Sequence, residues 1–113
     1  MIKIYHNNRC SKSRCGLEIL ENSGKEFEIV KYLDTVPSKE ELREIITLLG
    51  IEPLQLVRKN EKIWKENFKG KELTDDQIIE AMIHYPKLIE RPIVINGSKA
   101  VIGRPPENIT TIL

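Results

Sequence analysis

A chain of 113 residues with 40% hydrophobic and 31% charged side chains has the length of one globular domain and leaves no room for a second core. Its 18 basic and 17 acidic residues give a net charge of +1, too small a cationic surplus for a protein that tracks the phosphates of a nucleic acid. No apolar run approaches the ~20 residues of a membrane span, and Met1-Ile2-Lys3-Ile4 starts a strand pattern, so no membrane segment is expected and the expected location is the cytoplasm.

Ile2 to Tyr5 alternate with polar neighbours and predict a first strand that ends in the polar stretch His6-Asn7-Asn8-Arg9-Cys10. A helical pattern starts at Ser13 with Leu17, Ile19 and Leu20 on its apolar face, and Gly24 suits the left-handed residue past its end. Phe27 to Leu33 predict a second strand. Strand, helix and strand over some 33 residues form a βαβ unit, with a parallel pair and a right-handed crossover. Ser38 and Glu41 form a capping box ahead of Leu42, Ile45, Ile46 and Leu49, and Gly50 closes that helix. Pro53 opens a short helix carrying Leu54, Leu56 and Val57. Residues 58–73 are polar and irregular, held to the body by Trp64 and Phe68. Thr74 and Gln77 cap another helix, whose face is Ile78, Ile79, Met82 and Ile83 and which stops before Pro86. Ile93–Ile95 and Ala100–Ile102 flank Asn96-Gly97, the strongest short hairpin signal. Pro105-Pro106-Glu107 opens a terminal helix with Ile109, Ile112 and Leu113 facing in. The order is β-α-β, a helical insertion at about 38–84, then β-β-α. This is an α/β, thioredoxin-like plan with a mixed four-stranded sheet, expected as a single domain over 1–113.

Two cysteines are too few for a disulfide framework. Asn96-Gly97-Ser98 and Asn108-Ile109-Thr110 match the glycosylation sequon by chance in a chain not read as secreted. His6, Cys10, Cys15 and His84 are the available zinc-type ligands. Their spacing fits no structural zinc pattern, so no metal is expected.

Cys10 stands where the first strand gives way to the first helix. There the backbone N–H groups and the positive helix end favour thiolate over thiol. Arg9, Lys12 and Arg14 crowd the same residues, a charge set that lowers a thiol's pKa and receives an anion. Cys15 follows five residues later, with Cα atoms roughly 8 Å apart in a helix. A disulfide needs about 7 Å or less, so bridging would require the first turn to melt, and Cys15 reads as a packed helix residue with a resolving role as the lesser alternative. Ser13 occupies the place of the second cysteine in a Cys-x-x-Cys dithiol, which points to an external thiol as the resolving partner. Gly16 stands where a phosphatase loop has its arginine, so any oxyanion must be held from elsewhere in the chain. Arg58, Arg91 and Arg104 each sit at a boundary between elements, where a fold can direct side chains to one spot. Their planar forks match tetrahedral oxyanions better than ammonium groups do. Pro92, at the head of the third strand, is expected to be cis, placing backbone beside the reactive cysteine.

Several stretches in order along the chain resemble the glutaredoxin-coupled arsenate reductase family: Tyr5 to Arg14, Tyr32-Leu33, Leu56-Val57-Arg58-Lys59-Asn60, Thr74-Asp75-Asp76-Gln77, Arg91-Pro92-Ile93-Val94 and Ile102-Gly103-Arg104-Pro105-Pro106. The resemblance implies a thioredoxin-like fold that reduces arsenate, or a similar oxyanion, to arsenite. Cys10 matches the nucleophile, which forms a covalent arseno-cysteine. Arg58, Arg91 and Arg104 match the arginines that hold the oxyanion, His6 a histidine near the thiolate, and Ser13 and Arg14 residues that shape the cysteine loop. Glutathione is implied as co-substrate and glutaredoxin as partner, with no bound cofactor. The chain departs from the family at Asn8, where proline is usual, and at Cys15, which is not normally cysteine. The competing readings are a glutathione-dependent reductase of another small thiol substrate and a Spx-type redox-responsive transcription regulator. Ser13, which breaks Cys-x-x-Cys, and Arg104 of the Gly-Arg-Pro segment both favour the enzyme over the regulator.

Overall fold

The computed structural model describes residues 2–113, so Met1 of the first strand pattern lies outside the described residues. The fold divides into two compact units, one made by the chain up to Thr35 together with Arg91–Leu113, the other by Val36–Glu90.

The first unit holds a four-stranded sheet. Strand β1 (Ile2–Tyr5) leads into helix α1 (Ser11–Asn22) and strand β2 (Phe27–Val30). Ile2 and Ile4 are buried while Lys3 is exposed, the two-residue period of a strand. β1 pairs in parallel with β2, from Ile2 opposite Phe27 to Tyr5 opposite Val30. The strand ends three residues before the expected Leu33. The chain turns at Lys31, whose carbonyl accepts the N–H groups of Asp34 and Thr35 at 3.0 and 2.8 Å. Two later strands, at Ile93–Asn96 and Lys99–Ile102, form an antiparallel hairpin, the first of them also pairing antiparallel with β1. Asn96 pairs with Lys99, so the loop is Gly97-Ser98, with Gly97 at φ +63°, one residue later than the Asn-Gly signal suggested. The Asn96 amide instead donates to the Ile112 carbonyl at 2.6 Å.

The terminal segment is a 3₁₀ helix, Pro106–Ile112, where an α-helix was expected. The run Ile109-Thr110-Thr111-Ile112 is entirely β-branched, a poor helix former. Thr110 and Thr111 donate their hydroxyls three residues back, to the carbonyls of Glu107 and Asn108. Ile109 and Ile112 are buried as expected, in a cluster with Ile2, Ile4, Leu20 and Val94, while Leu113 packs on its margin.

Gly16 on α1 lets helix, sheet and terminal segment close together. A Cβ there would lie 2.8 Å from Pro92 Cγ and 2.9 Å from Ile109 Cδ1. Gly16→Val is therefore expected to destabilise the fold by roughly 1–3 kcal/mol through overpacking. The check is a lower urea midpoint with an unchanged denaturant slope.

The second unit is helical: α2 (Lys39–Leu49), a 3₁₀ turn Pro53–Leu56, α3 (Lys62–Asn67), α4 (Asp75–His84) and a 3₁₀ turn Pro86–Leu88. The hydroxyl of Ser38 accepts the Glu41 N–H at 3.1 Å, and both halves of the Thr74–Gln77 capping box form. Leu42, Ile45, Ile46, Leu56, Ile78, Ile79 and Met82 are buried. Ala81 is buried beside them, while Ile83 is only half-buried. The stretch 58–73, expected to be irregular, contains α3. Six residues are too few to show a period, and buried Trp64, stacked on Phe68 with ring centroids 5.4 Å apart, holds the turn in place. A short antiparallel pairing of Val57 with Ile89 joins the two 3₁₀ turns of this unit. The hairpin that follows the insertion consists of β3 (Ile93–Asn96) and β4 (Lys99–Ile102).

Candidate active site

Cys10 is the N-cap of α1, extended at φ −100° and ψ 123°. Its N–H donates to the Asn7 carbonyl and its own carbonyl accepts the Arg14 N–H, each at 3.0 Å. Because this extended residue already closes the first turn, α1 begins at Ser11, two residues earlier than the periodicity indicated. The half-buried thiol is then subject to opposing influences. Burial pushes its pKa up, but the N–H of Ser13, the Arg91 fork, the N–H of Lys12 and the Arg91 charge bring it down to about 7. The side chains of Arg9, Lys12 and Arg14, expected to lower it, are all exposed. The first turn's backbone and one distant arginine do the lowering instead, because they are the groups that meet the sulfur.

Arg91 lies two residues before β3, is 9% exposed, and joins Pro92 through a cis peptide bond. Burial by itself weakens the hold of its guanidinium on the proton, but the Tyr32 phenol and the Cys10 thiolate more than restore it. Arg104 follows β4. Its Nε donates to the Arg91 carbonyl at 2.8 Å and its Nη2 lies 3.4 Å from Cys10 Sγ. Arg104-Pro105 is a second cis bond, which the sequence did not suggest. Cys10, Arg91 and Arg104 are thus brought together from three places far apart in the chain.

Ser13, fully buried, organises the loop before Cys10. Its Oγ lies 2.7 Å from His6 Nδ1 and accepts the Asn7 N–H at 2.9 Å, while Asn7 Oδ1 accepts the Arg9 N–H at 3.0 Å. Burial chiefly, helped by the charges of Lys31 and Arg14 against the Ser13 bond, lowers the proton affinity of His6. Burial thus favours the neutral imidazole, which bridges the loop after β1 to Ser13 of α1. Arg14 itself points to solvent and contributes its N–H to the helix start. Tyr32, 1% exposed, was read as an apolar strand residue and, with Leu33, as part of the family resemblance, without a role at the site. Its position just beyond β2, the parallel neighbour of the strand leading to Cys10, is the signal that could have marked it.

Cys15 is exposed, correcting its reading as a packed residue. The buried face of α1 is Ser13, Gly16 and Leu20, and Cys15 falls about 200° around the helix from Ser13. Arg58 belongs to the insertion. Its N–H donates to the Leu88 carbonyl at 2.7 Å, and its Nε lies 3.6 and 3.8 Å from carboxylate oxygens of Glu61 and Glu90. No group of three potential metal ligands occurs among the described residues.

With its pKa about 7, about half of Cys10 is thiolate at neutral pH. In a Cys15→Ser background, which leaves one thiol, the rate of iodoacetamide alkylation is expected to rise with pH to half its plateau near that value. A midpoint at the ordinary thiol value of about 8.5 contradicts this site.

A thioredoxin-like sheet with a cysteine of lowered pKa at the head of its first helix and arginines beside the sulfur defines a class of protein able to present a thiolate to an anion. More particularly, the chain belongs to the ArsC family, whose profile matches residues 5–112. It is 44% identical to an arsenate reductase of Neisseria meningitidis over 99% of this chain and 97% of that protein. It is 45% identical to the uncharacterized protein YfgD of Escherichia coli K12, over 99% and 96% of the two chains. A solved arsenate reductase from Vibrio cholerae superposes with a TM-score of 0.95 at 46% identity, covering 99% of this chain and 97% of that one.

Proposed function

We propose that the protein is an arsenate reductase in which Cys10 is the nucleophile. The observation that carries the reading is a cysteine sulfur with pKa about 7, contacted by Arg104 Nη2 at 3.4 Å and by the buried Arg91. Two guanidinium groups beside a thiolate offer donors for the oxygens of a tetrahedral oxyanion while its central atom faces the nucleophile.

In the proposed sequence the Cys10 thiolate attacks arsenic and displaces a hydroxide, which leaves as water, forming a sulfur–arsenic(V) bond. The thiol of glutathione displaces a second hydroxide, again lost as water. The thiolate of glutaredoxin then attacks the glutathione sulfur. The sulfur–arsenic electron pair stays on arsenic, which becomes arsenic(III), and the two reductant sulfurs leave as a mixed disulfide. Hydrolysis of the Cys10–arsenic(III) bond releases arsenite and regenerates the thiolate. Ser13, His6 and Arg14 hold the loop, Pro92 sets the backbone at the head of β3, and Arg58 supplies a third cation by family resemblance. The external thiols follow from the same resemblance and from Ser13, which leaves no Cys-x-x-Cys pair. A cytoplasmic setting, where thiols stay reduced, suits this chemistry. No helix among the described residues is long and apolar enough to cross a membrane.

The test is arsenite production from arsenate with glutathione and glutaredoxin, each omitted in turn. Turnover is expected only with both. Turnover with thioredoxin in place of both overturns the external-glutathione scheme, and no turnover with any reductant overturns the reductase reading. Cys15→Ser is expected to turn over near the wild-type rate, since the exposed thiol takes no step. A loss as complete as that from removing Cys10 would establish an internal disulfide instead.

A further inference from the structure

The loops that leave the carboxyl ends of the two parallel strands, β1 and β2, enclose a cleft of about 310 Å³. It is lined by the 6–9 segment on one side and by Lys31, Leu33 and Asp34 on the other. The carboxyl ends of the strands are the side of an open α/β sheet on which ligands bind. The volume lies at the lower end of the range for small-molecule sites. The lining is polar, with cations at Arg9 and Lys31, an anion at Asp34 and an exposed amide at Asn8. Among the described residues none of the three charges is engaged in an ion pair. The cleft adjoins the nucleophile through the 6–9 segment itself, where the Asn7 carbonyl accepts the Cys10 N–H at 3.0 Å.

We infer that this cleft is the binding site of the peptide thiol that resolves Cys10, taking glutathione by its two carboxylates and its ammonium group. Arg9 and Lys31 receive the carboxylates, Asp34 receives the ammonium, and Asn8 meets the peptide amides. Charges of both signs around one small concavity match a ligand that carries both signs at its ends, whereas a simple oxyanion has no use for Asp34. Substrate anion and reductant thus occupy different places, the anion beside Arg91 and Arg104 and the tripeptide across the loop. The assignment rests on the glutathione-dependent reading above, and its test makes no use of arsenate.

The probe is S-methylglutathione, whose capped sulfur cannot react, titrated into the full-length ¹⁵N-labelled protein. Amide shifts are expected at residues 6–9 and 31–34. The dissociation constant is expected to rise about tenfold or more in Lys31→Glu, on the scale of losing a charged hydrogen bond. The diethyl ester of the same ligand, which lacks both carboxylate charges, is expected to bind the unaltered protein more weakly by a similar factor. Shifts confined to another surface, or a dissociation constant unchanged both for the ester and in the Lys31→Glu variant, overturn the assignment even if arsenite is produced. Binding with these properties upholds it even if arsenate proves not to be the substrate.

Discussion

Cys10→Ser is expected to reduce arsenite production to that of the protein-free mixture while leaving the urea unfolding midpoint near that of the unaltered protein. The wild-type sulfur has a pKa of about 7 and is substantially ionised at neutral pH. A serine hydroxyl in the same place keeps its proton and forms no sulfur–arsenic bond. The fold has no comparable stake in the sulfur. Cys10 caps α1 without a side-chain cap bond, and serine is among the best residues at that position, worth up to ~1 kcal/mol over a non-capping side chain. The helix start is thus retained or strengthened, and a lost rate cannot be charged to unfolding. Arsenite measured beside a urea curve separates the two. Persistent turnover in Cys10→Ser, with loss in Cys15→Ser, would move the nucleophile to the exposed side of α1.

The arrangement of strands and helices was legible because its signals are local. Alternation marks β1, Thr74 and Gln77 announce α4, and Asn96-Gly97 lies at the hairpin turn. What escaped depends on where the chain meets itself. The hairpin loop falls one residue later than its motif because Asn96 pairs with Lys99 and spends its side chain on the Ile112 carbonyl. The terminal segment reads as helical by its apolar spacing, but its β-branched run and threonine hydroxyls favour the tighter 3₁₀ turn. Three cations within five residues of Cys10 suggested the origin of its acidity. Their side chains point to solvent, and the lowering comes from the backbone of the first turn and from Arg91, more than eighty positions away. The cysteine and two of its arginines were thus identifiable by residue type and boundary position, while the partners that give them chemistry, Tyr32 on Arg91 and Arg104 on the Arg91 carbonyl, follow only from tertiary structure.

Arg91→Ala is expected to lower kcat/KM for arsenate by roughly 30- to 1000-fold, the ~2–4 kcal/mol of losing one preorganised oxyanion donor. It is also expected to raise the pH midpoint of Cys10 alkylation. Two opposed changes decide that sign. Removing a buried side chain admits water, relieving the burial that pushes the thiol up, but it also removes both the hydrogen bond and the charge by which Arg91 favours the thiolate. With the hydrogen bond and the charge both gone, the anion is the net loser and the midpoint moves toward that of a free thiol. Arg91→Lys separates the roles. An ammonium restores charge and part of the midpoint, yet it cannot span two oxygens as a planar fork does, so the arsenate defect remains. Arg104→Ala removes a donor to the sulfur and the 2.8 Å clamp on the Arg91 carbonyl. The double replacement of Arg91 and Arg104 is therefore expected to fall short of the sum of the single losses, as for residues that share one task. Additive losses would show that the two arginines act independently, and an unmoved alkylation midpoint in Arg91→Ala would show that Arg91 does not hold the thiolate.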